Sequence, residues 1–174
     1  EKDWSNAAFL LALNEVGGEV TVTGLSETSL QADRVCAEIF RRLDMPNAVI
    51  DVSGCPDLAP ILFAVAAAKH GAKFIGTRRL KIKESDRAEA MTRELLKFGV
   101  KSEVGENEVV LFSNRLSKPA ETLSGHNDHR IVMALSVLAS ATGGSIEGAE
   151  AVKKSFPNFF DVIAGLGTEA EYEF

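Results

Sequence analysis

Ala88, Met91, Leu95 and Phe98 recur three and four residues apart while Glu94 and Lys97 fall on other faces, so the spacing predicts an amphipathic helix. Ser85 is placed to cap its start and Gly99 to stop it. From the beginning of the chain, the pattern gives a helix over residues 5–16, the pair Gly17 and Gly18, a strand over 19–23 and a turn at Gly24. A second helix follows over 30–43, with Leu30, Val35, Ile39 and Leu43 inward and Ser29 near its start. Met45 and Pro46 break the chain before an alternating segment at 48–53 that reads as a strand. Pro56 opens an Ala-rich helix running to Lys69, Gly71 ends it, and residues 73–75 form a strand. Beyond the amphipathic helix, 101–104 and 108–112 alternate as strands, with Gly105, Glu106 and Asn107 as the hairpin turn. Asn127 is an N-cap candidate for a helix carrying Ile131, Ala134, Leu135 and Leu138; after Gly143 and Gly144 come a strand at 145–147, Gly148 and a last helix from Pro157.

These elements share one grammar: a small-residue-rich helix, a glycine, a short strand, a glycine or basic turn, and an amphipathic helix. The turn glycines Gly24, Gly76 and Gly148 align best. The chain thus reads as a threefold internal repeat of an α/β unit, with units at about 1–54, 55–124 and 125–174. No G-x-G-x-x-G opens any helix, so a Rossmann sheet is not indicated.

Composition narrows the class. With 174 residues and 45% apolar content the chain suits one globular domain with a proper core. A net charge of -6 without a basic stripe argues against a general nucleic-acid binder, so local basic clusters must be specific. Cys36 and Cys55 lie far apart with no metal-ligand spacing, which points to buried reduced thiols in a cytosolic protein, with no disulfide and no zinc. The apolar run at 58–68 is too short to span a bilayer, and Glu1 does not begin a signal-peptide pattern. An opening on DWSNAAFLLAL without Met looks like the middle of a larger protein, though tag removal or trimming gives the same appearance.

Charge concentrates at helix entrances. The stretch LKIKESDRAEAMTRELLKFG, residues 80–99, places Lys81, Lys83, Glu84, Asp86 and Arg87 where a helix begins. Helix N-termini favour anions through unpaired amides and the dipole, and Arg87 adds a planar fork, making this a candidate phosphate and carboxylate site. In repeat-equivalent places stand Asp57 beside Pro56, then Asp128, His129 and Arg130, then Lys153 and Lys154 ahead of Ser155, Phe156 and Pro157. If the units pack side by side, Lys83, Arg87, Arg130 and Lys154 converge on a polyanionic substrate. The first unit is sparser, offering Asp3, Asn6, Asp33 and Arg34. Taken singly, Asp57 and Asp128 read first as N-caps or favourable first-turn acids, His129 as a satisfied helix-start histidine, and the two lysines as solvated surface. No second His stands three or four residues from His129 to suggest a metal pair; His70 and His126 read as surface or loop residues.

KIKESDR at 81–87, NDHRIVMAL at 127–135, KSFPNFF at 154–160 and CPDL at 55–58 resemble, in order and spacing, the C-terminal signatures of the 5-enolpyruvylshikimate-3-phosphate synthase family. The resemblance covers essentially the whole chain. It implies a cytoplasmic transferase of the shikimate pathway, serving chorismate and aromatic amino acid biosynthesis, that moves the enolpyruvyl group of phosphoenolpyruvate to the 5-hydroxyl of shikimate 3-phosphate and releases phosphate. It implies no redox cofactor, no metal, no nucleic acid and no membrane partner.

The family fold is two similar domains, each an inside-out α/β barrel of three βαβαββ units, with substrates between them. The likeness here is to the C-terminal domain alone. The N-terminal domain and the extreme N-terminal segment that completes this barrel would be missing, so the chain alone would be inactive. The link at 43–48 is also shorter than in familiar members, where a hairpin precedes the CPDL-like region.

Residue by residue, the resemblance makes Asp57 the proton acceptor from the 5-hydroxyl and a shikimate 3-phosphate ligand. It places Lys83 beside that hydroxyl and makes Glu84 the proton donor. Arg87, Arg130 and Lys154 become the phosphoenolpyruvate clamp, and His129 an active-site neighbour. The chemistry needs one protonated and one ionised acid together at neutral pH, which cations can arrange by separating their pKa values. Lys81 and Asp86 are then structural. The alternatives are a UDP-N-acetylglucosamine enolpyruvyl transferase, which the NDHR and KSFP elements fit poorly, and a noncatalytic binding module, against which the intact acids and cations argue.

Overall fold

The computed structural model describes residues 2–171, so the outer limits of the first and third expected units, at Glu1 and at 174, lie outside the described residues. Helix α1, Trp4–Ala12, is capped by Asp3, whose side chain accepts from the Ser5 N–H, and runs on as a 3-10 turn over Leu13–Val16. A 3-10 turn at Ala32–Val35 leads into α2, Cys36–Leu43. Strand β1, Val49–Asp51, is followed by a 3-10 turn at Pro56–Leu58 and α3, Ala59–Ala68. Strand β2, Gly71–Ile75, leads through a 3-10 segment at Thr77–Ile82 to α4, Arg87–Lys97. The hairpin strands β3, Ser102–Val104, and β4, Glu108–Phe112, come next. The chain closes with β5, Leu123–Ser124, α5, His129–Thr142, β6, Ile146–Glu147, a 3-10 segment at Ala149–Lys154 and α6, Phe159–Gly165.

The four-stranded sheet has the order β1-β2-β4-β3. β1 and β2 run parallel with Ile50 opposite Phe74, while β4 is antiparallel to both β2 and β3. Residues 49–112 therefore trace strand, helix, strand, helix, strand, strand within one sheet. β5 and β6 form a separate parallel pair, Leu123 opposite Ile146.

The core lies around α3 and α5. Every residue of α3 from Ala59 to Ala67 is buried, and it packs on α5 and on β2, with the Phe63 and Phe74 rings 4.5 Å apart between centroids. A helix apolar on all sides can be stable only when enclosed in this way. Cys36 and Cys55 are buried free thiols, pushed up to about 12 and about 11 by burial.

Several expectations need correction. Residues 19–23 alternate in burial at Val20 and Val22, yet no partner strand lies beside them among the described residues; the Asn14 side chain binds both the N–H and the carbonyl of Val20 instead. Leu30 is fully exposed, because the chain at 26–31 is a loop and helical structure begins only at Ala32. Asp86 caps α4 in place of Ser85, accepting from the Glu89 N–H at 3.2 Å. Asp128 caps α5 in place of Asn127. Gly71 opens β2 instead of closing a helix, and α6 begins at Phe159, two residues after Pro157. Glu94, which the spacing places on another face from Ala88, Met91, Leu95 and Phe98, is nonetheless wholly buried.

A buried charge network at three helix entrances

Three segments distant in sequence bring charge to one place. The 3-10 turn after β1 carries Asp57, the loop before α4 carries Lys83 and Glu84, α4 starts at Arg87, and α5 starts behind its cap Asp128 with His129 and Arg130. Each lies at a helix start, where side chains project past the first turn toward whatever faces the N-terminus.

Arg87 is the centre, only 1% exposed. Its Nε donates to Asp128 Oδ2 at 2.8 Å, Nη1 to Asp57 Oδ1 at 2.8 Å, and Nη2 to Glu84 Oε2 at 2.7 Å and Asp128 Oδ1 at 3.4 Å. Lys83 Nζ lies 3.0 Å from the same Asp57 oxygen. Arg130 donates from Nη1 to the Asp57 carbonyl at 3.2 Å, with Nη2 3.8 Å from Asp57 Oδ2. Asp57 thus gathers three of the predicted cations. Lys154 is held at the edge, donating to the carbonyl and, at 2.9 Å, the Oδ1 of Asn127, one residue before Asp128.

The electrostatics follow. Burial on its own would raise the Asp57 carboxyl, but the hydrogen bond from Lys83, the charge of Arg130 and the hydrogen bond from Arg87 bring it down to about 2. Asp128, wholly buried, is likewise pushed up by burial and more than compensated by Arg87 and by the Arg130 N–H, so it stays well below the ordinary carboxylate range. Burial opposes the Arg87 charge, and Asp128, Asp57 and Glu84 raise its pKa regardless. His129 is 7% exposed; burial first, then the Arg130 charge, lower its pKa, and its Nδ1 has no hydrogen-bond partner among the described residues.

The predicted set is therefore brought together, with Asp57, Lys83, Glu84, Arg87 and Arg130 in direct contact and Lys154 tied in through Asn127. Of the two neighbours read as structural, Asp86 caps α4 and Lys81 is exposed. Residue spacing alone missed Asp128 as a ligand of Arg87, because an N-cap explains that aspartate completely, and here it does both. It also missed Glu94 and His126, which pair at 2.9 Å behind the network. A groove of about 810 Å³ lined by Leu13, Val20, Ile146 and Ile163 is separate from this cluster.

The EPSP synthase (3-phosphoshikimate 1-carboxyvinyltransferase) family model matches residues 42–163. The 3-phosphoshikimate 1-carboxyvinyltransferase of Clostridium kluyveri is 37% identical, with 98% of this chain and 44% of that protein covered. Those of Clostridium acetobutylicum and Methanoculleus marisnigri are 38% and 36% identical, each over 96% of this chain. The chain spans somewhat under half the length of these relatives. An EPSP synthase structure from Acinetobacter baumannii superposes with a TM-score of 0.80 at 22% identity, covering 96% of this chain and 46% of that one, so the two share a mixed α/β fold. A match over this much of the sequence, running through the Asp57, Arg87 and Arg130 segments, means that the chain belongs to the EPSP synthase family.

Proposed function

We propose that this chain is the C-terminal domain of a cytoplasmic enzyme that transfers the enolpyruvyl group of phosphoenolpyruvate to the 5-hydroxyl of shikimate 3-phosphate, releasing phosphate, and that the other half of the cleft belongs to an N-terminal domain. The observation that carries this is the convergence of Lys83, Arg87 and Arg130 on the single carboxylate of Asp57. Asp57, held ionised by its neighbours, is the proton acceptor from the hydroxyl; Lys83 sits beside it to orient that hydroxyl; Glu84 delivers the proton to the methylene carbon.

Arg87, Arg130 and Lys154 bind phosphoenolpyruvate. Arg87 has five N–H donors, and four of its donor contacts are taken by carboxylates. It engages the ligand by exchanging Glu84 or Asp57, and this frees the displaced acid as the anion arrives. Arg130 and Lys154 are the freer cations. His129 has a pKa lowered by burial and by Arg130, and its buried Nδ1 has no hydrogen-bond partner among the described residues.

We further propose that the domain is an inside-out barrel of repeated βαβαββ units. The trace of residues 49–112 supports it, as do the left-handed φ values of Gly24, Gly76 and Gly148 at +84°, +75° and +71°.

Steady-state kinetics of the complete protein test the assignment. Arg130→Ala and Lys154→Ala each remove charge-assisted hydrogen bonds to the donor substrate, and should raise the phosphoenolpyruvate KM roughly 10- to 100-fold, with much less effect on shikimate 3-phosphate. Equal losses for both substrates would sink the clamp assignment. Absence of phosphate release from the complete protein with both substrates would sink the reaction, and turnover with UDP-N-acetylglucosamine in place of shikimate 3-phosphate would redirect it. The chain by itself should release phosphate only at background.

A further inference from the structure

The turn ahead of α5 adopts an unusual backbone. His126 and Asn127 are consecutive non-glycine residues with left-handed φ, +49° and +53°; His and Asn are among the few side chains that tolerate this region. The charged cluster depends on this turn. Asn127 presents its carbonyl and Oδ1 to Lys154, Asp128 receives Arg87, and the Arg130 N–H is bound by the Asp128 side chain.

Glu94 holds the turn from behind. It is fully buried on α4, and its Oε2 accepts from the Ser124 N–H at 2.9 Å and lies 2.8 Å from Lys97 Nζ. Its Oε1 is 2.9 Å from His126 Nε2, and the His126 N–H donates to Ser124 Oγ at 3.3 Å. Glu94 and Arg87 are seven residues apart on α4, close to two full turns, so they project from one face about 10 Å apart. The helix grips the segment 124–128 twice: Arg87 on Asp128, Glu94 on Ser124 and His126. Between these grips the chain has no slack. Gly125 donates to the Glu147 carbonyl at 2.9 Å, and a Cβ there would stand 2.6 Å from Val132 Cγ2.

We infer that Glu94 and His126 are positioning residues for the anion site, holding 126–127 in its left-handed turn and so setting where Asn127 places Lys154 and where Asp128 places Arg87. The kinetic consequence rests on the enolpyruvyl-transfer reading; the geometric one does not. Substitutions at His126 that keep a positive φ accessible separate the pair from the backbone shape. In the complete protein, His126→Gly and His126→Asn should each raise the phosphoenolpyruvate KM about tenfold and change the shikimate 3-phosphate KM less than twofold. Glu94→Gln, which retains an acceptor for Ser124 and a partner for the imidazole, should stay within threefold of wild type. A purely structural role would shift the melting temperature and leave the KM ratio alone.

A His126→Gly protein with phosphoenolpyruvate KM within twofold of wild type overturns the inference, and if that variant does not fold, His126→Asn is judged by the same threshold. If wild type does not use phosphoenolpyruvate, the functional reading has failed, and positioning is read instead from the Arg87 Nε–H in its bond to Asp128. Its hydrogen-exchange protection should be high in wild type and lost in the His126 variants; unchanged protection overturns the inference.

Discussion

Arg87 joins three carboxylates with one guanidinium, and no other side chain can do this. A planar fork with five donors reaches Asp57, Glu84 and both oxygens of Asp128 at once, whereas an ammonium is a single point that must choose among them. Asp128 is wholly buried, so its charge depends on that contact. Replacing Arg87 by Leu strands a buried carboxylate, and removal of one partner from a buried pair costs about 3–5 kcal/mol. Urea unfolding of Arg87→Leu should show a loss of that order; a loss below about 1 kcal/mol would mean that water or another cation reaches Asp128. The same argument makes Arg87 a poor single test of substrate binding, because its removal damages fold and site together. Arg130 and Lys154 separate the two.

At the scale of elements, Gly76 and Gly148 occupy matching places, each the left-handed residue that opens a six-residue 3-10 segment leading to charged residues, Lys83 in one case and Lys154 in the other. Their surroundings differ. A Cβ on Gly76 would stand 2.6 Å from Asp51 Oδ1 and 2.9 Å from the Ser53 N, while one on Gly148 meets nothing within 4 Å. Gly148→Ala should therefore cost only the left-handed backbone penalty, about 1–2 kcal/mol, and Gly76→Ala clearly more, since the β1 end cannot retreat from its pairing with β2. Equal melting temperatures for the two variants would contradict this.

The glycine alignment was legible in the sequence because a required positive φ leaves a residue type behind. The α3 and α4 helices and the β3–β4 hairpin were legible for the same kind of reason, through period and turn residues. The stretch at 19–23 has strand alternation, but a strand exists only with a partner, and pairing is not written in one segment's own residues. Glu94 misled because a glutamate at a helical position reads as solvent-facing unless its distant partners Ser124 and His126 are known. Leu30 misled in the opposite sense, an apolar residue left outside.

Across the whole molecule, the site is a balance among charges contributed by residues 57 to 154, and acid should undo it in a defined window. Asp57 is held at about 2 against an ordinary 3.8, and Asp128 and Glu94 are also lowered. A carboxyl depressed in the folded state binds protons more readily when unfolded, so its stabilisation is complete above about pH 4 and is lost as pH falls through the folded value. Asp33 has the opposite sign: burial raises its pKa despite the Ser5 hydrogen bond, so protonation relieves it and slightly offsets the loss near pH 4.

One group can contribute a slope of at most about 1.4 kcal/mol per pH unit. The Asp57 side chain is 38% exposed, so solvent screening keeps its share below that limit. Urea unfolding between pH 4 and 2 should show stability falling steadily in wild type and less steeply in Asp57→Asn, which has no proton to take up at that position. A variant as acid-sensitive as wild type would shift the acid dependence to Asp128 and Glu94, and would mean that Lys83 and Arg130 hold Asp57 less firmly than their 3.0 and 3.8 Å separations imply.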